Sequence, residues 1–212
     1  SEWQEVKGIN ASWGDIDMRY DKTSVSMFSQ NDRLELNGWR GERVFAQAVV
    51  WTSVPVQDLN YEITDLKGDG RQKISAGQIR AGFARYVMGD TFFSNGTGCG
   101  KWAEEPVIDS VLVADCIDHY ATSLQLAPMQ TQGIWLTCQI PSDIRPGLYS
   151  GQLIIRNGRK VIKKLDLAVN ASSKVLPKPQ DWHFHLDLWQ HLSNIARKHE
   201  VPLWSDAHFA VL

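Results

Sequence analysis

The clearest alternation of apolar and polar side chains runs through Gly133–Val169 and predicts three consecutive β-strands. In Trp135–Ile140, Leu136, Cys138 and Ile140 fall on one face, and Trp135, Thr137 and Gln139 on the other. That is the period of a strand with two different surroundings. Pro141 removes a ladder donor, and Pro146-Gly147 supplies turn chemistry before the second strand, Leu148–Arg156. Asn157-Gly158 then predicts a two-residue type I′ hairpin, because both residues tolerate positive φ. In the third strand Leu165, Leu167 and Val169 face one way, and Asp166, Ala168 and Asn170 the other. Three antiparallel strands with one apolar face need a second layer, so this run is one wall of a sandwich.

The same reading extends towards the N-terminus. Ser1–Asp21 is Trp-bearing without a clean period and is expected to add an edge strand or wrap the sandwich. Ser24–Phe28, Arg33–Leu36, Arg43–Trp51, Leu59–Leu66, Ile79–Met88 and Val107–Val113 are strand candidates by β-branched and aromatic content. Gly38-Trp39-Arg40-Gly41 and Lys67-Gly68-Asp69-Gly70 read as turns, and Gly89–Lys101 as a loop. Asp65-x-Lys67-x-Asp69-Gly70 has the outline of a calcium loop. Lys67 stands where an oxygen ligand is needed and Ala76 where a bidentate Glu belongs, so it is read as a hairpin. Some nine or ten strands and no helix before Ser172 predict a mainly β protein: an antiparallel Ig-like or jelly-roll-type β-sandwich.

The pattern changes after that. Ser172–Asp181 holds two prolines around a lysine, the composition of a stiff linker. Trp182–Trp189 reads as a strand, Ser193–Glu200 as a helix capped by Ser193, and Ser205-Asp206 as the start of a second helix. Strand then helix is the opening of an α/β segment, left incomplete by Leu212. The expected division is a sandwich over 1–173, a linker over 174–181 and an α/β start over 182–212.

Composition narrows the function classes. A net charge of −2 argues against nucleic-acid binding, and no apolar run has the ~20 residues that span a bilayer. No signal peptide is present in the sequence, which does not decide whether the protein is exported. Nine Trp are many for 212 residues; such rings either fill a sandwich core or stack on sugars. Three Cys imply no complete disulfide framework. Cys138 is expected to be a buried small hydrophobe, while a pairing of Cys99 with Cys116 stays open.

Candidate chemistry lies in the tail. If Trp182–His191 is extended, His183, His185, Asp187, Trp189 and His191 share one face. Asp181-x-His183-x-His185 resembles the first-strand H-x-H of amidohydrolase-type metalloenzyme barrels, without the later ligands. No metal or cofactor is therefore assigned. Trp182, Phe184, Leu186, Leu188, Trp189, Trp204 and Phe209 are too much apolar surface to leave in water; they must dock on the sandwich, self-associate or stay disordered, and docking or self-association is expected.

Trp135 through Leu153, W-L-x-x-x-I-P-x-D-x-x-P-G-x-Y-x-G-x-L, resembles the closing strands of β-sandwich modules that stand beside bacterial glycoside hydrolase barrels. Phe184–His191 and Val201–Phe209 resemble the start of the catalytic barrel of family-123 glycoside hydrolases, which are β-N-acetylgalactosaminidases. Leu192 departs from that family's usual proline. The resemblance implies an N-terminal sandwich before a (β/α)8 barrel, a periplasmic or secreted bacterial protein, and a glycan substrate bound through the barrel. It also implies a catalytic adjacent Asp-Glu pair, and this chain has no Asp-Glu dipeptide. Glu104-Glu105 reads as a solvated pair. The resemblance thus implies no catalytic residue here, with Asp187, Trp189 and His191 as candidates to line the sugar pocket at the C-terminal ends of the barrel strands. A carbohydrate-binding module with an exposed aromatic platform is the alternative.

Overall fold

The computed structural model describes residues 2–25, 30–90, 110–184 and 189–212. The chain divides into two units, Ser1–Leu176 and Pro177–Leu212.

The first unit is a sandwich. Its strands are β1 (Ile9–Gly14), β2 (Arg33–Arg40), β3 (Arg43–Thr52), β4 (Val56–Ile63), β5 (Leu66–Lys67) and β6 (Lys73–Ile74), then β7 (Ile79–Asp90), β8 (Ser110–Asp118), β9 (Leu124–Leu126), β10 (Gln130–Gln139), β11 (Gly147–Asn157) and β12 (Lys160–Val175). One sheet has the order β1-β3-β10-β7-β8; the other has β2-β12-β11-β4-β9, with β5 beside β11 and β6 beside β5. The core between them is mostly aliphatic, with the rings of Trp13, Phe83 and Tyr149 among it. Leu136, Cys138 and Ile140 are buried from one sheet, and Leu153, Ile155, Leu165, Leu167 and Val169 from the other, each at most 2% exposed. Leu136, Cys138 and Ile140, and Leu165, Leu167 and Val169, are the inward positions that the alternation predicted. Burial pushes the Cys138 thiol up to about 11, so it stays a neutral apolar group at physiological pH.

Trp13 ties one sheet to the other. It is 3% exposed on the edge strand β1, and its indole N–H donates to the Asp166 carbonyl of β12 at 2.8 Å. The expected edge strand within Ser1–Asp21 is therefore β1. Ser24 and Val25 are not strand, and the rest of Ser24–Phe28 lies outside the described residues. So do residues 91–109, which hold most of the expected Gly89–Lys101 loop, the first part of Val107–Val113, Cys99 and Glu104-Glu105.

Several local readings are corrected. One strand pair, β2 with β12, is parallel: Leu34 stands opposite Leu167 and Leu36 opposite Val169. The chain changes sheets at Gly41-Glu42, so β2 and β3 do not pair with each other, and β2 lies beside β12, a strand far away in sequence. The turn is accordingly Gly41, at φ 88°, while Gly38–Arg40 remain strand; the Glu42 carboxylate closes it by accepting from the Trp39 N–H at 2.7 Å. The hairpin after β11 pairs Asn157 with Lys160, so its two-residue loop is Gly158-Arg159, with Gly158 at φ 58°. Arg159 does not take positive φ, which excludes type I′. Asn157 is held in the ladder because its side-chain oxygen accepts from the Asp58 N–H at 3.1 Å, and a register shift at Ile155/Arg156 absorbs the difference.

The Leu59–Leu66 run breaks at Thr64-Asp65 into β4 and β5. Asp65 leaves the strand to staple the β5–β6 hairpin, accepting from Lys73 Nζ at 2.7 Å and from the Ala76 N–H at 2.8 Å. The Lys73 contact, then the Ala76 amide, hold this carboxyl below its ordinary range. A depressed carboxyl stabilises the fold above its unfolded pKa and loses that effect as pH falls through its folded value. Asp65→Asn is thus expected to lower the urea midpoint at pH 7, and the gap to wild type should narrow below the carboxylate range. Equal midpoints at pH 7 would show that the staple contributes nothing.

The second unit is mostly irregular. Pro179–Asp181 form one 3-10 turn, followed by α1 (Leu192–Lys198) and α2 (Asp206–Val211). None of the described residues of Trp182–Trp189 is strand, and 185–188 lie outside the described residues. A lone extended segment has no ladder partner for its N–H and C=O groups. The N-cap of α1 is His191, without a side-chain bond, so Ser193 lies inside the helix. Ser205 does cap α2, accepting from the His208 N–H at 3.2 Å. Ser172–Val175, read as the start of the linker, continue β12.

Candidate functional site

Two places gather polar and aromatic side chains. The first is an open groove of about 280 Å³ on the outer face of the β1-β3-β10-β7-β8 sheet, lined by Ile16, Met18, Gln47, Ala84, Ile117 and Trp135, with Arg19, Ala114 and Asp115 completing it. Strand alternation turns Trp135 away from the core, opposite Gln47 on β3 and Gly82 on β7. Phe45, 40% exposed, packs beside it with ring centroids 5.9 Å apart at 40°. Gln47 is 6% exposed, and its amide donates to the Asp15 carbonyl at 2.8 Å and the Met18 carbonyl at 3.0 Å. Those two bonds fasten the segment that forms one wall. The Tyr86 hydroxyl, donating to the Thr131 carbonyl at 2.9 Å and near the Tyr20 carbonyl at 3.1 Å, anchors its far end. Burial raises the Tyr86 pKa, so the hydroxyl keeps its proton.

The opposite wall is β8. Ile117 pairs with Ala84 and Ala114 with Tyr86, so β8 carries one residue more than β7 across this stretch. Such a bulge re-aims side chains, and Ala114, Asp115 and Ile117 all border the groove.

The second place is the tail. His208 is fully buried; its Nδ1 accepts from the Trp204 N–H at 3.0 Å, which leaves Nε2 to donate to the Leu192 carbonyl at 3.0 Å. Trp204 sits at φ 65°, unusual for a bulky residue, with its ring edge-on to His208 at 5.7 Å. The imidazole is thus a clamp between the start of α1 and the turn before α2.

Of the residues singled out from the sequence, Trp189 is 98% exposed and His191 is an exposed helix cap. Asp187 lies outside the described residues, as does His185; Asp181 and His183 are exposed. Among the described residues, no three His, Cys, Asp or Glu side chains are placed to hold a metal ion. Sequence reading missed both the groove and the clamp. The available signals were Gln47, polar within RVFAQAVVW, and His208, three residues after a helix-capping Ser. The β8 bulge left no signal, because register shifts arise from pairing.

No curated protein matches this chain. Among solved structures, a family 123 glycoside hydrolase from Clostridium perfringens, studied for glycolipid glycan hydrolysis, aligns with a TM-score of 0.78 at 20% identity. The alignment covers 96% of this chain and 34% of that one, so this chain spans about a third of that enzyme. The N-terminal domain of PorA (6% identity, TM-score 0.35, 78% of this chain and 98% of that one) also aligns, much more loosely. So does a PapD-like domain of human CEP192 (9%, 0.35, 70% and 92%). At 20% identity the hydrolase shows a shared fold. The glycoside hydrolase 123 N-terminal domain profile matches residues 13–157, most of the sandwich. The chain belongs to the family of glycoside hydrolase 123 N-terminal domains.

Proposed function

We propose that this chain is the non-catalytic β-sandwich module, with the opening of the barrel, of a bacterial glycoside hydrolase acting on N-acetylgalactosamine-containing glycans. In this reading the module runs to the end of β12 at Val175, a short linker follows, and 182–212 are the opening of a (β/α)8 barrel. Asp187, Trp189 and His191 line the sugar pocket of the complete enzyme, which works in the periplasm or outside the cell. The observation that carries the reading is the match of residues 13–157 to the family-123 N-terminal domain. The absence of any Asp-Glu dipeptide supports placing catalysis elsewhere, because family-123 chemistry uses such a pair. Phe184, Trp189, Trp204 and Phe209, 58–98% exposed within the tail unit, are the surface through which copies of the chain would self-associate.

The test is an assay of the pure chain against a chromogenic β-N-acetylgalactosaminide, beside the protein expressed from its whole natural reading frame. The expected result is no turnover by the chain and turnover by the whole protein. Hydrolysis by the pure, mass-verified chain overturns the reading.

A further inference from the structure

We propose that the groove on the outer face of the β1-β3-β10-β7-β8 sheet is a carbohydrate-binding subsite, seating one pyranose ring of a neutral glycan against Trp135. The inference deepens the reading above and rests on it, because a sugar partner follows from the chain being part of a glycan-acting protein.

The groove is built rather than left over. Its floor is kept low by Gly133: a Cβ there would stand 3.2 Å from Gln47 Oε1 and 3.3 Å from the Ala84 Cβ, tighter than ordinary contact. One wall is pinned by the two hydrogen bonds of the buried Gln47 amide, and the other is the bulged stretch of β8 that borders it with Asp115. Trp135 is half-buried and stands against Phe45, so its ring has a fixed orientation before anything binds.

The lining selects the ligand class. A pyranose offers a flat face of C–H bonds and a rim of hydroxyls, so it needs an aromatic surface flanked by groups that accept and donate hydrogen bonds. Trp135 supplies the first; Asp115 and Arg19 border the same space with an acceptor and a donor. A purely apolar occupant, an acyl chain or a hydrophobic helix face, would strip water from the exposed Asp115 carboxylate without replacing it. Asp115 and Arg19 give the lining one charge of each sign, so neither an anion nor a cation is favoured over a neutral ligand. At about 280 Å³ the space is at the lower end of small-molecule sites and suits one ring rather than an oligosaccharide.

The test is a titration of the ¹⁵N-labelled wild-type chain with N-acetylgalactosamine and with galactose, following the indole N–H signals by NMR. The expected result is a saturable shift of the Trp135 indole. Trp135→Ala and Asp115→Asn should each weaken Kd about tenfold or more. Trp39→Ala, which removes a ring 41% exposed elsewhere on the sandwich, should leave Kd unchanged. If Trp135→Ala fails to fold, the wild-type indole shift and Asp115→Asn decide the matter. No saturable shift with either sugar overturns the proposal, as does a shift confined to Trp39, Trp189 or Trp204. Hydrolysis by the chain would instead overturn the module reading, so the two failures are separate.

Discussion

Tyr149→Ala is expected to cost about 3–5 kcal/mol, the range for deleting a buried aromatic ring, and to lower Tm by roughly 10 °C. Tyr149 is 2% exposed on β11, just past the Pro146-Gly147 corner. Its hydroxyl donates to the Arg145 carbonyl at 2.7 Å, closing that corner on itself as a tyrosine corner does. The ring also underlies the β5–β6 hairpin: a side chain at Gly68 would begin 2.7 Å from Tyr149 Cε1, so that backbone rests directly on it. The deletion therefore opens a cavity beneath two turns at once. Tyr149→Phe keeps the ring and loses only the hydroxyl, leaving the Arg145 carbonyl short of a donor, at about 1–3 kcal/mol. Urea unfolding of the three proteins checks the order. A Tyr149→Ala variant within 1 kcal/mol of wild type would show that this corner is not where the sandwich is closed.

His208→Ala is expected to release the helices of the tail while leaving the sandwich transition in place. His208 is fully buried and satisfies the Trp204 N–H and the Leu192 carbonyl together. Each group left unsatisfied costs about 1–3 kcal/mol. The unit has little else to hold it: Ala196 and His208 are its buried residues among those described, and α1 and α2 have 7 and 6 residues, too short to persist alone. At 1.4 kcal/mol per decade, the loss corresponds to about 100-fold or more in opening. Hydrogen exchange reads it directly at Val201 and Phe209, whose amides donate to the Ala196 and Ser205 carbonyls at 3.0 Å each. Exchange at these amides unchanged in the variant would mean that the imidazole bonds do not hold the unit.

Local pattern determined much of this protein. Alternation at Leu136, Cys138 and Ile140 and at Leu165, Leu167 and Val169 already named the core, because a one-residue slip would send every one of those side chains to the wrong face. Turn chemistry located the corner at Pro146-Gly147, and Ser205 announced its helix, since a cap acts on its own next turn. The motif from Trp135 through Leu153 carried the resemblance to sandwich modules of glycoside hydrolases, and Phe184–His191 with Val201–Phe209 carried the family.

What only the tertiary structure decided is pairing between distant segments. The parallel direction of β2 on β12, the hairpin loop displaced to Gly158-Arg159 and the β8 bulge beside Asp115 depend on which strand lies alongside, and no local pattern encodes that neighbour. The groove follows from the same cause. Gln47 and Trp135 are 88 positions apart in sequence and become neighbours only through the β3–β10 ladder. His208 is the same lesson at shorter range: its identity was plain in the sequence, but its role required Leu192 and Trp204 to arrive on opposite sides of one ring.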